Sequence, residues 1–253
     1  MMRQGDAMNS MRLLSLCLAL AWCSSSTLAK ELQTTFTTAY SCGSKPSEGT
    51  CLSEPFEPGR VVILLKKDSS GVCISKTEEK YKYEGVDRYY EGTKLGSLDG
   101  CFGPFNFAIV GADPSFVRLT NEKISSSVLD KRRKQARELL KRREASFPAT
   151  PETEQFRVSD IPPKVIVAGH NVLLSYTLKM DSTFGPSVLF LNDRHFVSES
   201  KEWCATGHTF FYVKDKLHLG YFEAGCGGGY SAAIIKDLSS GTPKEVYVRG
   251  RTT

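Results

Sequence analysis

Residues 209–222 read TFFYV-KDK-LHLGYF and give the clearest indication of the fold. Two apolar runs rich in aromatic residues flank the polar triplet at 214–216, a pattern typical of paired strands joined by a tight turn. The sequence therefore predicts a β-hairpin in which residues 209–213 pair with residues 217–222.

This hairpin belongs to a longer series of predicted strands in the C-terminal region. Apolar runs separated by turn-forming residues also occur at 165–168, 172–179, 187–192, 231–236 and 245–249. Strands joined by such short turns are expected to pair with their neighbours. Residues 165–253 are therefore predicted to form an antiparallel β-meander.

Alternating aromatic residues crowd the central hairpin of this meander. On a strand, successive side chains point to opposite faces, so one set faces the core and the other faces away from it. Core packing is the favoured interpretation, and an exposed set that stacks on sugars or grips a partner is the alternative. The residues concerned are Trp203, Phe210, Phe211, Tyr212, Tyr221, Phe222 and Tyr230.

The preceding residues 30–123 form a smaller predicted β-rich region. Residues 61–65 and 72–75 predict a hairpin, and the apolar run at 107–110 predicts a further strand. Residues 30–60 are expected to be irregular, and the polar, tyrosine-rich stretch before the last of these strands is given no regular structure.

One helix is predicted between the two regions, over residues 124–147. Ser127 is the expected N-cap, with Asp130 completing a capping box. Pro148 ends the helix, and residues 148–164 are read as a proline-containing linker. A narrow apolar stripe at helical spacing comprises Val128, Leu129, Ala136, Leu139, Leu140 and Phe147. The predicted fold class is thus β-rich α+β, stapled by disulfides.

The predicted helix is strongly basic. Residues 130–144 contain eight lysines or arginines and three acidic residues, so their net charge equals the +5 of the whole chain. Such a helix is a candidate for binding an anionic envelope surface or a protein partner. The alternative is a solvated face around a core-facing stripe. The candidate residues are Lys131, Arg132, Arg133, Lys134, Arg137, Lys141, Arg142 and Arg143.

The N-terminal residues 1–29 have the pattern of a cleavable signal peptide. A basic start precedes an apolar run of about ten residues, which is too short to span a bilayer. Small residues at Thr27 and Ala29 predict cleavage before Lys30, and the mature protein is expected to be secreted or periplasmic. Lipid anchoring at Cys23 is the alternative. No later stretch is apolar enough to be transmembrane.

Six cysteines follow the predicted cleavage site, and an even number in an exported chain indicates disulfides. Six cysteines allow 15 pairings, and three bonds are favoured. Cys42–Cys51 would close a small surface loop, Cys73–Cys101 would join neighbouring strands, and Cys204–Cys226 would join the open end of the 209–222 hairpin.

The leading interpretation is therefore an exported, non-enzymatic binding protein. Two alternatives remain, a secreted hydrolase that uses Cys226 with His208 or His218, and a structural or assembly subunit of a cell-envelope complex. No sequence signature surrounds Cys226, and no zinc-protease or phosphate-loop motif occurs. The sequence thus predicts no metal and no cofactor, and export without a stacking platform argues against nucleic acid.

Overall fold

The computed structural model describes residues 34–42, 49–67, 70–84, 89–101, 103–144, 157–158, 161–180, 183–192, 195–196, 205–224 and 231–250. Within the unit Thr35–Thr253, the strands belong to a closed barrel and to a second sheet. The barrel strands are β1 (Thr35–Ser41), β2 (Thr50–Leu52), β3 (Val61–Lys66), β4 (Val72–Glu84), β5 (Tyr89–Leu95) and β6 (Phe105–Val110).

The second sheet has ten strands and carries helix α1 (Ser126–Glu144) on one side. A short 3-10 turn, Pro114–Phe116, precedes its first strand. The strands are β7 (Val117–Leu119), β8 (Arg157–Val158), β9 (Lys164–Ala168), β10 (Asn171–Met180), β11 (Thr183–Leu191), β12 (His195–Phe196), β13 (Ala205–Val213), β14 (Lys216–Ala224), β15 (Ser231–Asp237) and β16 (Lys244–Arg249).

The barrel is closed by pairing of its first and last strands. Its order is β1-β2-β5-β4-β3-β6, and β6 returns to β1 with Thr35 opposite Val110. Large aliphatic side chains such as Leu52, Val62 and Leu64 fill one core cluster with Cys73. Two disulfides belong to this barrel, Cys42–Cys51 and Cys73–Cys101, with Cα–Cα distances of 5.7 and 5.9 Å. Both predicted bonds are confirmed.

The second sheet is the predicted meander. Strands β9, β10, β11, β13, β14, β15 and β16 follow one another as antiparallel neighbours. The segment after β7 ties β13 to β9, because Thr120 N donates to Phe210 O and Glu122 N donates to Val167 O. The β-rich α+β class and the antiparallel meander are both confirmed.

Both faces of this sheet are covered, which explains its continuous apolar runs. On β13, Phe210 contributes to a core formed by the sheet's own strands, whereas Phe211 faces the barrel. The barrel-facing core contains Phe107 of β6, whose ring stacks on Phe222 of β14 with centroids 4.9 Å apart. Gly220 permits this approach, because a Cβ there would lie 2.8 Å from the Phe107 ring.

Two expectations from the sequence are wrong, and one stretch to which the sequence assigned no element forms strands. Residues 30–60 are not irregular throughout, since β1 and β2 lie there as full members of the barrel. The tyrosine-rich stretch before β6 forms the long strand β4 and its partner β5. Helix α1 begins at Ser126, so Ser127 lies inside the first turn and is not the N-cap.

No helix within the described residues is long and apolar enough to cross a membrane.

Candidate functional site

The candidate site is the outward face of helix α1, which the sequence predicted from its charge. Ala136 and Leu140 are buried and form the centre of the face that packs on β10 and β11. Leu129 and Leu139 flank them and are half-buried, whereas the predicted stripe residue Val128 is exposed. Packing of this stripe fixes which side of the helix faces away from the sheet.

The structure divides the predicted cations into two groups. Arg132 and Arg133 are half-buried beside the packed stripe. The side chain of Arg143 lies outside the described part of the structure. The remaining five residues are exposed and make up what we call the basic face of α1: Lys131, Lys134, Arg137, Lys141 and Arg142.

Few carboxylates neutralise this basic face. Glu138 lies 3.9 Å from Lys141 of the face, whereas Asp130 pairs at 3.4 Å with Arg133, which lies beside the face. Among the described residues, no carboxylate lies within ion-pair distance of Lys131 or Lys134. The face therefore retains an excess of positive charge that is open to solvent and to a ligand.

Lys141 and Arg142 lie in the last turn of the helix, where cations are favourable, but the position of Lys131 and Lys134 does not serve helix stability. Cations are stabilising near the C-terminus of a helix and acidic residues near its N-terminus, because of the helix dipole. The first turn of α1 contains no acidic residue, and Lys131 and Lys134 lie in its N-terminal half. Lys131 and Lys134 are also neighbours at i,i+3, an arrangement that is mildly destabilising for like charges.

Tyr176 of β10 fixes helix α1 to the sheet beneath the basic face. Its hydroxyl donates to the carbonyl oxygen of Arg133 at 3.3 Å, so the strand is bonded directly to the helix backbone. Burial raises the pKa of Tyr176, and the positive charges of Arg137 and Arg133 partly oppose that rise. The phenol therefore stays neutral and serves as a structural hydrogen-bond donor.

Comparison with known proteins assigns no function to the basic face. No family model, curated protein or solved structure matches the chain. Within the described residues, no group of three or more histidine, cysteine or acidic side chains is arranged to hold a metal ion.

The two histidines of the hydrolase hypothesis lie on neighbouring strands, and both are buried. His218 of β14 stacks on Phe211, with ring centroids 5.3 Å apart, and its Nδ1 donates to Lys216 O at 3.0 Å. Burial lowers the pKa of His218, and the negative charge of Asp237 partly opposes this effect. Its ring thus packs against the barrel-facing core.

His208 of β13 is in a less satisfied environment. Neither ring nitrogen has a hydrogen-bond partner among the residues that the structure describes, and burial together with the charge of Lys164 lowers the pKa of His208 from 6.5 to about 4. The preceding Gly207 adopts a positive φ of 65°, and the register with β14 shifts between Thr206 and Thr209. His208 therefore lies at a β-bulge inside the sheet.

Cys226, the nucleophile of the hydrolase hypothesis, lies outside the described residues, and so does Cys204. The predicted Cys204–Cys226 bond and the cysteine-hydrolase alternative therefore both stay predictions. Trp203 and Tyr230 also fall outside, whereas the aromatic residues Phe210, Phe211 and Tyr221 are buried, as core packing predicts.

Sequence reasoning missed a polar network that joins the barrel to the last strand. The Glu54 carboxylate accepts from the Tyr247 hydroxyl at 2.9 Å, from Arg249 Nη1 at 2.5 Å and from the Thr37 hydroxyl. Burial, followed by the nearby Glu54 carboxylate, raises the pKa of Tyr247. No local pattern could reveal this network, because Glu54 and Arg249 are 195 residues apart. The network binds β16 to the barrel.

Proposed function

We propose that this chain is an exported, non-enzymatic binding protein that holds an anionic ligand of the cell envelope on the basic face of α1. The observation that carries the proposal is the orientation of the helix. Its apolar stripe is used up in packing on β10 and β11, and its excess positive charge is displayed on the opposite side.

Two features support export. The bonds Cys42–Cys51 and Cys73–Cys101 persist in oxidising compartments such as the periplasm or the extracellular space. The signal-peptide pattern of residues 1–29 predicts a mature protein that begins at Lys30. N-terminal sequencing of the exported protein tests this prediction. A sequence that begins with a lipidated Cys23 would show that the protein is anchored to a membrane and is not released.

The burial of both candidate bases favours binding over catalysis. A general base must reach the proton that it abstracts. His208 and His218 are both more than nine-tenths buried, and each is held within the sheet. A free-thiol count separates the two functions, because the hydrolase requires an unpaired Cys226.

Reversing three charges of the basic face tests the proposed function. We expect the triple variant Lys131→Glu, Lys134→Glu, Arg142→Glu to lose at least about a hundredfold in affinity for anionic ligands, since each cation near an anionic surface contributes about 1 kcal/mol. The measurement is binding to phosphatidylglycerol vesicles and to long-chain polyphosphate at low salt. Wild-type binding should weaken as salt is added.

The matched control reverses three exposed lysines elsewhere, Lys67, Lys76 and Lys244, which changes the net charge by the same amount. This control should retain most of the wild-type affinity, and both variants should keep the wild-type melting temperature closely. An equal loss in both variants would mean that net charge alone governs binding. If the wild-type protein binds neither the vesicles nor long-chain polyphosphate at low salt, the proposed function is refuted.

A further inference from the structure

The cations of the basic face do not converge on one point. Lys131 and Arg142 are eleven residues apart, which corresponds to about 16 Å along the helix axis. A site for a single phosphate or carboxylate requires donors that point at a common position. The ligand that uses the whole face must therefore carry several negative charges spread over a comparable length.

The same cations also wind around the helix. At about 100° per residue, Arg137 lies at one edge of the face and Arg142 at the other, about 140° apart around the helix circumference, and the other three cations lie between them. A flat anionic surface contacts a helix along a narrow line and reaches only part of this arc. A flexible chain can follow the arc and contact all five cations.

The packing of α1 also excludes the usual way in which a basic helix binds a membrane. Interfacial helices insert an apolar face into the boundary between headgroups and acyl chains. In α1 that face is occupied, because Ala136 and Leu140 are buried on the sheet. Only electrostatic contacts remain for the basic face.

We infer that the ligand of the basic face is a flexible linear polyanion, a polymer that bears phosphate or sulfate groups along its length. This inference rests on the proposed function and specifies its ligand class. The chain lies along the outside of α1 and places successive anionic groups beside Lys131, Lys134 and Lys141 and beside the two cations at the edges of the arc, Arg137 and Arg142.

A ligand series tests the inference with the intact mature protein. Binding is measured with inorganic phosphate, tripolyphosphate, long-chain polyphosphate and phosphatidylglycerol vesicles at equal accessible phosphate. We expect long-chain polyphosphate to bind at least about tenfold more tightly than tripolyphosphate and the vesicles, with no measurable binding of inorganic phosphate. The logarithm of its association constant should fall with the logarithm of salt concentration with a slope of about −3 to −4, as for five phosphate contacts to a single chain.

Neutralising the cations at the edges of the arc provides the second measurement. Arg137→Gln and Arg142→Gln, at the two edges of the arc, should each weaken polyphosphate binding about fivefold, as much as Lys134→Gln does. Vesicle binding that equals or exceeds polyphosphate binding, or edge variants without effect, would overturn the linear polyanion and leave the proposed function intact. Failure of polyphosphate and vesicles alike would overturn both.

Discussion

Phe211→Ala should lower the free energy of unfolding by about 3–5 kcal/mol, the cost of removing a fully buried phenylalanine from a close-packed core. Phe211 is completely buried on β13. Its ring contacts His218 in the same sheet and Phe36 of the barrel, with the Phe36 centroid 6.1 Å away. The expected cavity lies where the barrel and the sheet share one core, so both should unfold at a lower denaturant concentration than in the wild type. Chemical denaturation followed by far-ultraviolet circular dichroism measures the effect.

Phe116→Ala is the matched control for this prediction. The same atoms are removed, but Phe116 is 50% exposed, so the cost should stay below about 1 kcal/mol. Unfolding of Phe211→Ala should remain a single transition, because Ile63 and Phe107 of the barrel share a core with Phe211. A two-step transition, or a cost as small as that of the control, would contradict the shared core.

The C-terminal meander could be predicted because its fold signals are local. Each strand is an apolar run that ends in a short polar turn, as with the turn at 214–216 between β13 and β14. Strands joined by such turns then pair with their neighbours, as β13 and β14 do. The structure extends several of these strands by one or a few residues but changes none of the predicted pairings.

The barrel could not be predicted in the same way, because its closure depends on non-local pairing. The first strand β1 pairs with β6, and β2 pairs with β5. Its buried positions also include polar residues such as Thr37 and Thr93, which are fully buried, so the hydrophobic alternation that marks a strand is weakened. Thr93 is satisfied by Glu54 O and Phe56 N, contacts that only the folded chain provides.

The candidate site was only partly predictable from the sequence. Helical periodicity placed Ala136 and Leu140 on the buried side and Lys134 on the exposed side, because a 3.6-residue repeat fixes these faces. Periodicity did not reveal that Arg132 and Arg133 border the packed stripe, since this depends on how the helix rests on β10 and β11. Tertiary contact, not local pattern, therefore defines which cations a ligand can reach.

The isolation of His208 has a consequence for stability in acid. A buried imidazole without a hydrogen-bond partner among the described residues is tolerated while it is neutral, but its protonated form is disfavoured by burial and by the positive charge of Lys164. The pKa of His208 is about 4 in the folded protein, whereas the ordinary histidine pKa of 6.5 applies to the unfolded chain. Between these values the unfolded chain binds a proton that the folded protein does not bind, so stability falls as the pH is lowered.

Wild-type protein should therefore lose about 3 kcal/mol of unfolding free energy through His208 as the pH falls from 6.5 to about 4. His208→Phe should remove this contribution, because the apolar ring does not titrate and the change removes no hydrogen bond to any described residue. The difference in unfolding free energy between the variant and the wild type should therefore grow in favour of the variant as the pH decreases. Denaturant titrations at a series of pH values measure this difference, and His170→Gln serves as the exposed control. A difference that stays constant across this range would show that His208 is protonated without cost, which its burial beside Lys164 argues against.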